Sequence, residues 1–327
     1  MVMEFARRRL LHLAAGAAAA ALPAMPRIAR AQTYPARPIR IVVGFPAGLA
    51  PDTMARLVGQ ALSERLAQSV VIENRPGAGS NIGVEVVVKA PPDGYTLLLA
   101  VPTNTINQTL YPNLSFNFLR DIAPVAGFGR TVFALVVNPA VPAGTVAELI
   151  AYAKSNPGRI NMASPGIGTL PHVFGEMFKM MADVNMQHVP YRGNLYPDLL
   201  GGQVQVSFLT IISSLAYIRD GKLRALGVTT ATRAQALPDA PPIGESVPGF
   251  EASGWYGFGA PRSTPAAIVE KLKNEIEVVV SDEKMRARFI GMGIEPMFMP
   301  TDEFAKFLVD EAQKWEKIVK FAGMKPA

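Results

Sequence analysis

The chain has 327 residues, 49% of them hydrophobic and 18% charged, and no cysteine. At roughly 100–200 residues per domain the length predicts two domains, and the apolar content excludes a disordered chain. The lack of cysteine excludes disulfide scaffolds, thiolate metal sites and cysteine nucleophiles.

The first 31 residues carry much of the net charge of +6. Arg7, Arg8, Arg9, Arg27 and Arg30 stand there against Glu4 alone, and without them 27 basic and 25 acidic residues remain, a net charge of +2. A nearly neutral body with no basic run among aromatics argues against a nucleic-acid partner. The leader reads as an export signal: the basic Arg7-Arg8-Arg9, the apolar run from Leu10 to Leu22, then Ala29-Arg30-Ala31 before Gln32. Cleavage is expected after Ala31, by either the secretory or the twin-arginine route. The apolar run is too short for a bilayer span of ~20 residues, and no later stretch is long and apolar enough. The mature chain, 32–327, is expected to be soluble and exported.

In chain order, strands are predicted at 39–43, 70–73 and 96–101, with helices at 52–67 and 82–89 between them. The same alternation restarts near Thr131: strand 132–137, helix 146–155, strand 160–163, helix 171–182, strand 188–190, helix 196–201, and strands 204–208 and 225–228. From about Ser253 the chain returns with a strand at 255–260 and ends in helices at 265–280, 283–291 and 301–322. Strand–loop–helix alternation predicts an α/β fold with a mostly parallel sheet covered on both faces. No linker separates the halves, as expected of two lobes joined by more than one strand crossing.

Two glycine-rich loops stand between a strand and a helix, Gly44–Asp52 and Ser164–Thr169. The first N–H groups of a helix have no partner within it, and the helix dipole favours an anion there. Small residues at 47, 48, 166 and 168 let a ligand approach the backbone. One such loop is an ordinary turn; two, one per lobe, predict a cleft that grips a carboxylate from both sides. Phe45 and Tyr191 each flank a Gly or Pro turn and are expected to line it. Asp52 is placed as a helix N-cap. Neither loop matches a nucleotide-binding pattern.

Little supports an enzyme. Of three histidines, His12 lies in the leader, and His172 and His188 are too few for a histidine-rich metal site, so no metal and no cofactor are expected. Ser164 misses the G-x-S-x-G pattern at its first glycine. A Ser164–His172 hydrolase remains an alternative. The stripe Phe174, Met177, Phe178 and Met181 reads as core packing.

Beyond these patterns, the sequence resembles a known family. The opening from Tyr34 to Val43, followed by Phe45-Pro46-Ala47-Gly48 with Asp52, resembles that of Bug-type proteins, the periplasmic solute-binding components of tripartite tricarboxylate transporters. So do Glu73–Gly79, Pro92–Leu97, Ala163–Gly166 with Gly168, Thr169 and His172, His188–Gly193, Gly221–Leu226 and Ala252–Gly257. The resemblance spans the mature chain. It implies a two-lobed periplasmic-binding-protein architecture, a Venus flytrap closing on a ligand, with 32–130 and 253–327 as lobe 1 and 131–252 as lobe 2. It implies a periplasmic, non-enzymatic, monomeric receptor for a small organic carboxylate, held by loop amides and small hydroxyls and passed to integral-membrane transporter subunits. By position, the ligand-binding residues are Phe45, Ala47, Gly48 and Thr103 from lobe 1, and Ser164, Gly166, Gly168, Thr169 and Tyr191 from lobe 2.

Three departures carry information. Leu49 replaces a second glycine and makes the first loop bulkier. The stretch 193–198 is about two residues shorter than usual. Leu209, at the ligand-binding position where many members carry Asp, removes a partner for a ligand amine and points to an aliphatic or aromatic acid over an amino acid. A ligand sensor serving a signalling partner remains a further alternative.

Overall fold

The computed structural model describes residues 34–191 and 193–326. The export signal with its cleavage point, and Arg192, lie outside the described residues. The chain folds into two mixed sheets. Strands β1 (Ile39–Val43), β2 (Val70–Asn74), β3 (Thr96–Ala100), β4 (Ile122–Thr131), β10 (Gly254–Pro261) and β11 (Ile294–Met299) form the first, in the order β11-β4-β10-β3-β1-β2. Strands β5 (Phe133–Val137), β6 (Ile160–Ser164), β7 (Met186–Pro190), β8 (Val206–Thr210) and β9 (Arg224–Val228) form the second, in the order β7-β6-β8-β5-β9.

Helices α1 (Ala50–Leu66), α2 (Asn81–Val88), α3 (Pro102–Leu110) and α4 (Phe118–Asp121) belong to the first stretch of chain. Helices α5 (Val146–Ser155), α6 (Leu170–Ala182), α7 (Tyr196–Gly201) and α8 (Ile211–Arg219) follow, and α9 (Ala266–Ser281), α10 (Glu283–Gly291) and α11 (Thr301–Phe321) close it. Among the described residues, no helix is long and apolar enough to cross a membrane.

The expectation of a mostly parallel sheet needs correction. Only β1 with β2 and β3, and β6 with β7 and β8, pair in parallel. The pairs made by β4, β5, β10 and β11 are antiparallel. The reason is the connection between the sheets. Only Val132 separates β4 from β5, and the returning chain enters β10 beside it, with Gly254 opposite Thr131. Thr229 ties the two crossings together: its N–H donates to Phe133 O at 2.9 Å and its carbonyl accepts from Ala252 N–H at 2.8 Å.

Strand β4 was not predicted, because IAPVAGFGRT carries two glycines and a proline and has no alternating pattern. Its glycines have a packing cause. Gly127 lies opposite Gly257 of β10, and a Cβ on either would crowd the Phe304 ring of α11, at 3.1 and 2.3 Å. Phe304 therefore sits on bare backbone. Strand β11 escaped detection for a related reason: Pro296 is tolerated because β11 is an edge strand.

Helix α11, 21 residues and about 30 Å long, spans both cores. Phe304 and Leu308 pack in the cluster with Leu98 and Phe118 of the first sheet's side. Trp315, Ile318 and Val319 join the cluster of Leu135, Phe174 and Phe208 from the second. The sequence-based boundary places all of 253–327 with lobe 1, whereas the second half of α11 packs on the second sheet's core.

Candidate functional site

Four helix N-termini meet at one cavity of about 300 Å³. Ala50 and Pro51 open α1, Pro102 and Thr103 open α3, Thr169 and Leu170 open α6, and Thr210 and Ile212 open α8; all line the cavity. Two of these helices follow strands of the first sheet and two follow strands of the second. None is capped by its own N-cap side chain. Among the described residues, no charged side chain lines the cavity. Each N-terminus carries roughly half a positive charge together with donors that lack intrahelical partners. Among the described residues the cavity is therefore electropositive through backbone groups, and its other walls include Phe45, Phe133, Trp255, Tyr256, Met292 and Ile294.

The first loop is braced from outside the cavity. Asp52 is not the N-cap of α1: the helix begins two residues earlier, and Leu49 is its N-cap. Its carboxylate accepts from Gly48 N–H at 2.9 Å, Arg56 Nε at 3.0 Å and Asn74 Nδ2 at 2.9 Å. Burial pushes this carboxyl up, but the hydrogen bonds from Arg56, Gly48 and Asn74 together outweigh it and hold the group below the usual range. Asn74 also donates to Phe45 O at 3.0 Å, fixing the loop that presents the Phe45 ring.

Helix α3 went unpredicted because PTNTINQTL is rich in Thr and Asn, poor helix formers. Buried polar contacts hold it. Asn104 Oδ1 accepts the Val101 N–H at 2.9 Å, and Asn107 Nδ2 donates to Gly79 O and Asn81 Oδ1. Helix α8 opens with two Ile and two Ser, a strand-like start. The Ser214 hydroxyl donates to Thr210 O at 3.0 Å and secures its first turn.

Of the residues expected to bind ligand, Phe45, Thr103 and Thr169 line the cavity. Ala47 and Gly48 are exposed in the loop before α1. Gly166 donates its N–H to Ser164 Oγ at 3.2 Å, and Gly168 donates its N–H to His172 Nδ1 at 3.2 Å. Gly168 has φ +79° and packs so close to Leu110 of α3 that a Cβ would stand 2.9 Å from Leu110 Cδ2. Tyr191 donates its hydroxyl to Asp198 at 2.6 Å. Leu209 is buried in the second sheet's core, facing away with Ala134, Val136 and Ala163.

The sequence reading missed Thr131, Thr210, Trp255 and Tyr256 as cavity residues. Their shared signal is position at the strand crossings and strand ends. Thr131 Oγ1 is buried without a close hydrogen bond; its interaction partner is the Tyr256 phenol, which burial pushes up.

Ser164 is fully buried, and its Oγ lies 2.6 Å from His188 Nε2, not against His172. The two imidazoles stack face to face, centroids 3.7 Å apart. His172 Nε2 faces Glu176 Oε1 at 3.7 Å. The serine and the carboxylate thus contact different histidines, and stacked rings pass no proton between them. Burial, then the charges of His188 and Lys179, push His172 down to about 3. Burial, then Lys179, push His188 down to about 4. Both rings are neutral at pH 7.

Two α/β lobes joined by two strand crossings, with a ligand-sized cavity at their junction, define a periplasmic-binding-protein fold. Residues 54–324 match the profile of TctC, the tripartite tricarboxylate transporter family receptor. The chain belongs to this family. It is 34% identical over 300 residues to protein BugT of Bordetella pertussis, covering 90% of this chain and 92% of that protein. Among solved structures, the R. palustris protein Rpa4515 with adipate is similar at 33% identity and TM-score 0.76, covering 90% of this chain and all of that one. MatC from Rhodopseudomonas palustris with bound malate follows at 28% and 0.71, covering 88% and 100%.

Proposed function

We propose that this protein is an exported periplasmic receptor that captures one small organic carboxylate in the cavity between its lobes. It then presents that ligand to the membrane subunits of a tripartite tricarboxylate-type transporter. The carrying observation is the convergence of four helix N-termini, none capped by its own N-cap side chain, on a cavity that among the described residues has no charged side chain. Such a cavity prefers an anion, and its aromatic and aliphatic walls suit an acid with an apolar body. The adipate and malate bound to the two R. palustris relatives are in keeping with this reading.

The protein acts without catalysis, as a monomer. Its lobes are 32–130 with 253–327, and 131–252, with the second half of α11 packed on the second lobe's core. A ligand shifts it from open to closed only through contacts it makes better in the closed form. The split of serine and carboxylate between His188 and His172 weighs against the hydrolase alternative.

The test is thermal unfolding of ligand-stripped protein against mono- and dicarboxylates, amino acids and neutral sugars. A ligand at ~100 times its Kd stabilises by about 2.7 kcal/mol, a shift of roughly 5 °C or more for a chain of this size. Shifts confined to carboxylates support the reading. Shifts with amines or sugars alone, or turnover of activated esters that Ser164→Ala abolishes, overturn it.

A further inference from the structure

The loop between β6 and α6 is pinned at each end by one of two stacked imidazoles. At its start Ser164 Oγ lies 2.6 Å from His188 Nε2, and near its end Gly168 donates its N–H to His172 Nδ1 at 3.2 Å. The planes of the two rings lie 15° apart, so the pins form one wedge behind the loop. An imidazole nitrogen that accepts a hydrogen bond carries no proton, so the ring proton of neutral His172 sits on Nε2. That nitrogen faces Glu176 Oε1, and Lys179 Nζ holds both oxygens of the carboxylate at 2.8 Å. Buried Glu176 thereby favours the tautomer whose lone pair meets Gly168. The other side of Gly168 is fixed as well: a Cβ there would crowd Leu110 Cδ2 of α3 at 2.9 Å. Helix α3 is the one that brings Pro102 and Thr103 to the cavity, and Thr169 and Leu170, next to Gly168, line the same cavity. Thr169 closes the turn by donating its hydroxyl to Gly166 O at 2.7 Å.

We propose that His172 is a positioning residue for carboxylate binding. As a neutral acceptor oriented by Glu176, it holds Gly168 against α3 and so sets the spacing between the α6 and α3 N-termini across the cavity. The inference rests on the reading of the cavity as a carboxylate site. It adds a residue that governs affinity from behind the loop, for among the described residues His172 is not part of the cavity wall. Pro171 supplies no N–H, so the first turn of α6 has few donors to offer and depends on where they are placed.

Calorimetric titration of the wild type, His172→Asn and His172→Phe with adipate and with malate tests it. Asparagine brings Oδ1 to the place of Nδ1 and can accept from Gly168. Phenylalanine keeps a ring for His188 to stack on and offers no acceptor. His172→Phe is expected to bind about tenfold or more weaker, and His172→Asn within about threefold of wild type although it gives up the stack. Cooperative melting confirms that each variant folds. In the unliganded wild type, NMR of the imidazole nitrogens is expected to place the His172 proton on Nε2, with a coupling across the Gly168 N–H···Nδ1 bond. A proton on Nδ1, unchanged affinity in His172→Phe, or an equal loss in both variants overturns the role and leaves the carboxylate site standing. Binding of neither acid by the wild type overturns both.

Discussion

Trp255, in the wall of the cavity between the sheets, donates its indole N–H to the buried carboxylate of Glu311 at 3.0 Å. The same oxygen accepts Trp315 Nε1 at 2.9 Å, and Lys314 pairs with the other. The chain's two tryptophans, one on the crossing strand β10 and one on the helix that spans both cores, thus share one anion. Removing it by Glu311→Ala leaves two buried indole donors unpaired, at about 1–3 kcal/mol each. Urea unfolding is expected to register a loss of roughly 2–5 kcal/mol, with Glu311→Gln recovering part of it. A loss below about 1 kcal/mol would contradict this role.

Only Trp255 lines the cavity; Trp315 is buried in the second core. A bound acid is expected to change the intrinsic fluorescence of the wild type and of Trp315→Phe. Trp255→Phe should bind with a calorimetric signal and little optical one. The reverse pattern would place the ligand elsewhere.

The Thr131 hydroxyl has no close hydrogen bond to lose, so Thr131→Val should leave the melting temperature within about 2 °C. Because Thr131 lines the cavity, carboxylate affinity is expected to fall by about five- to tenfold. Unchanged affinity in calorimetry would remove Thr131 from the binding surface.

His172 and His188 bind protons at about 3 and 4 in the folded chain and at their ordinary 6.5 when unfolded. The unfolded state therefore takes up protons first as pH falls. Their contribution is complete above pH 6.5 and is lost steadily down to about pH 4 for His188 and about pH 3 for His172, at up to about 1.4 kcal/mol per pH unit for each ring. Carboxylates held low, such as Asp52, begin to matter only at the acid end of that window. Between pH 6.5 and 5 the melting temperature should drop, and His188→Asn should flatten the slope. A flat wild-type profile over that range would mean the rings are solvated.

Much of the fold was legible where burial follows a simple period. The span 39–43 reads as a strand because IRIVV is a short β-branched run, and four of its five residues are indeed buried. The helices 146–155, 196–201 and 283–291 read from local pattern alone. What stayed hidden depends on partners distant in sequence. Strand β4 needs the Phe304 ring to explain its glycines, and α3 needs Asn81 and Gly79 to hold its asparagines. The two glycine-rich loops were correctly seen to precede helices, but the cavity is built as much by α3 and α8, which local pattern did not predict. Phe45, Thr103 and Thr169 reached the cavity; Tyr191 and Leu209 turned to Asp198 and to the second core.

The four helix ends separate two kinds of heritable change. On the proposed reading, charge preference resides in peptide groups that every residue type but proline supplies, so no single side-chain replacement other than proline removes one of them. The identity of the acid resides in side chains such as Phe45, Ile212, Trp255 and Ile294, which are free to vary one at a time. A gene duplicate of such a receptor starts its divergence already committed to anions, and point mutations in the walls suffice to explore new carbon skeletons.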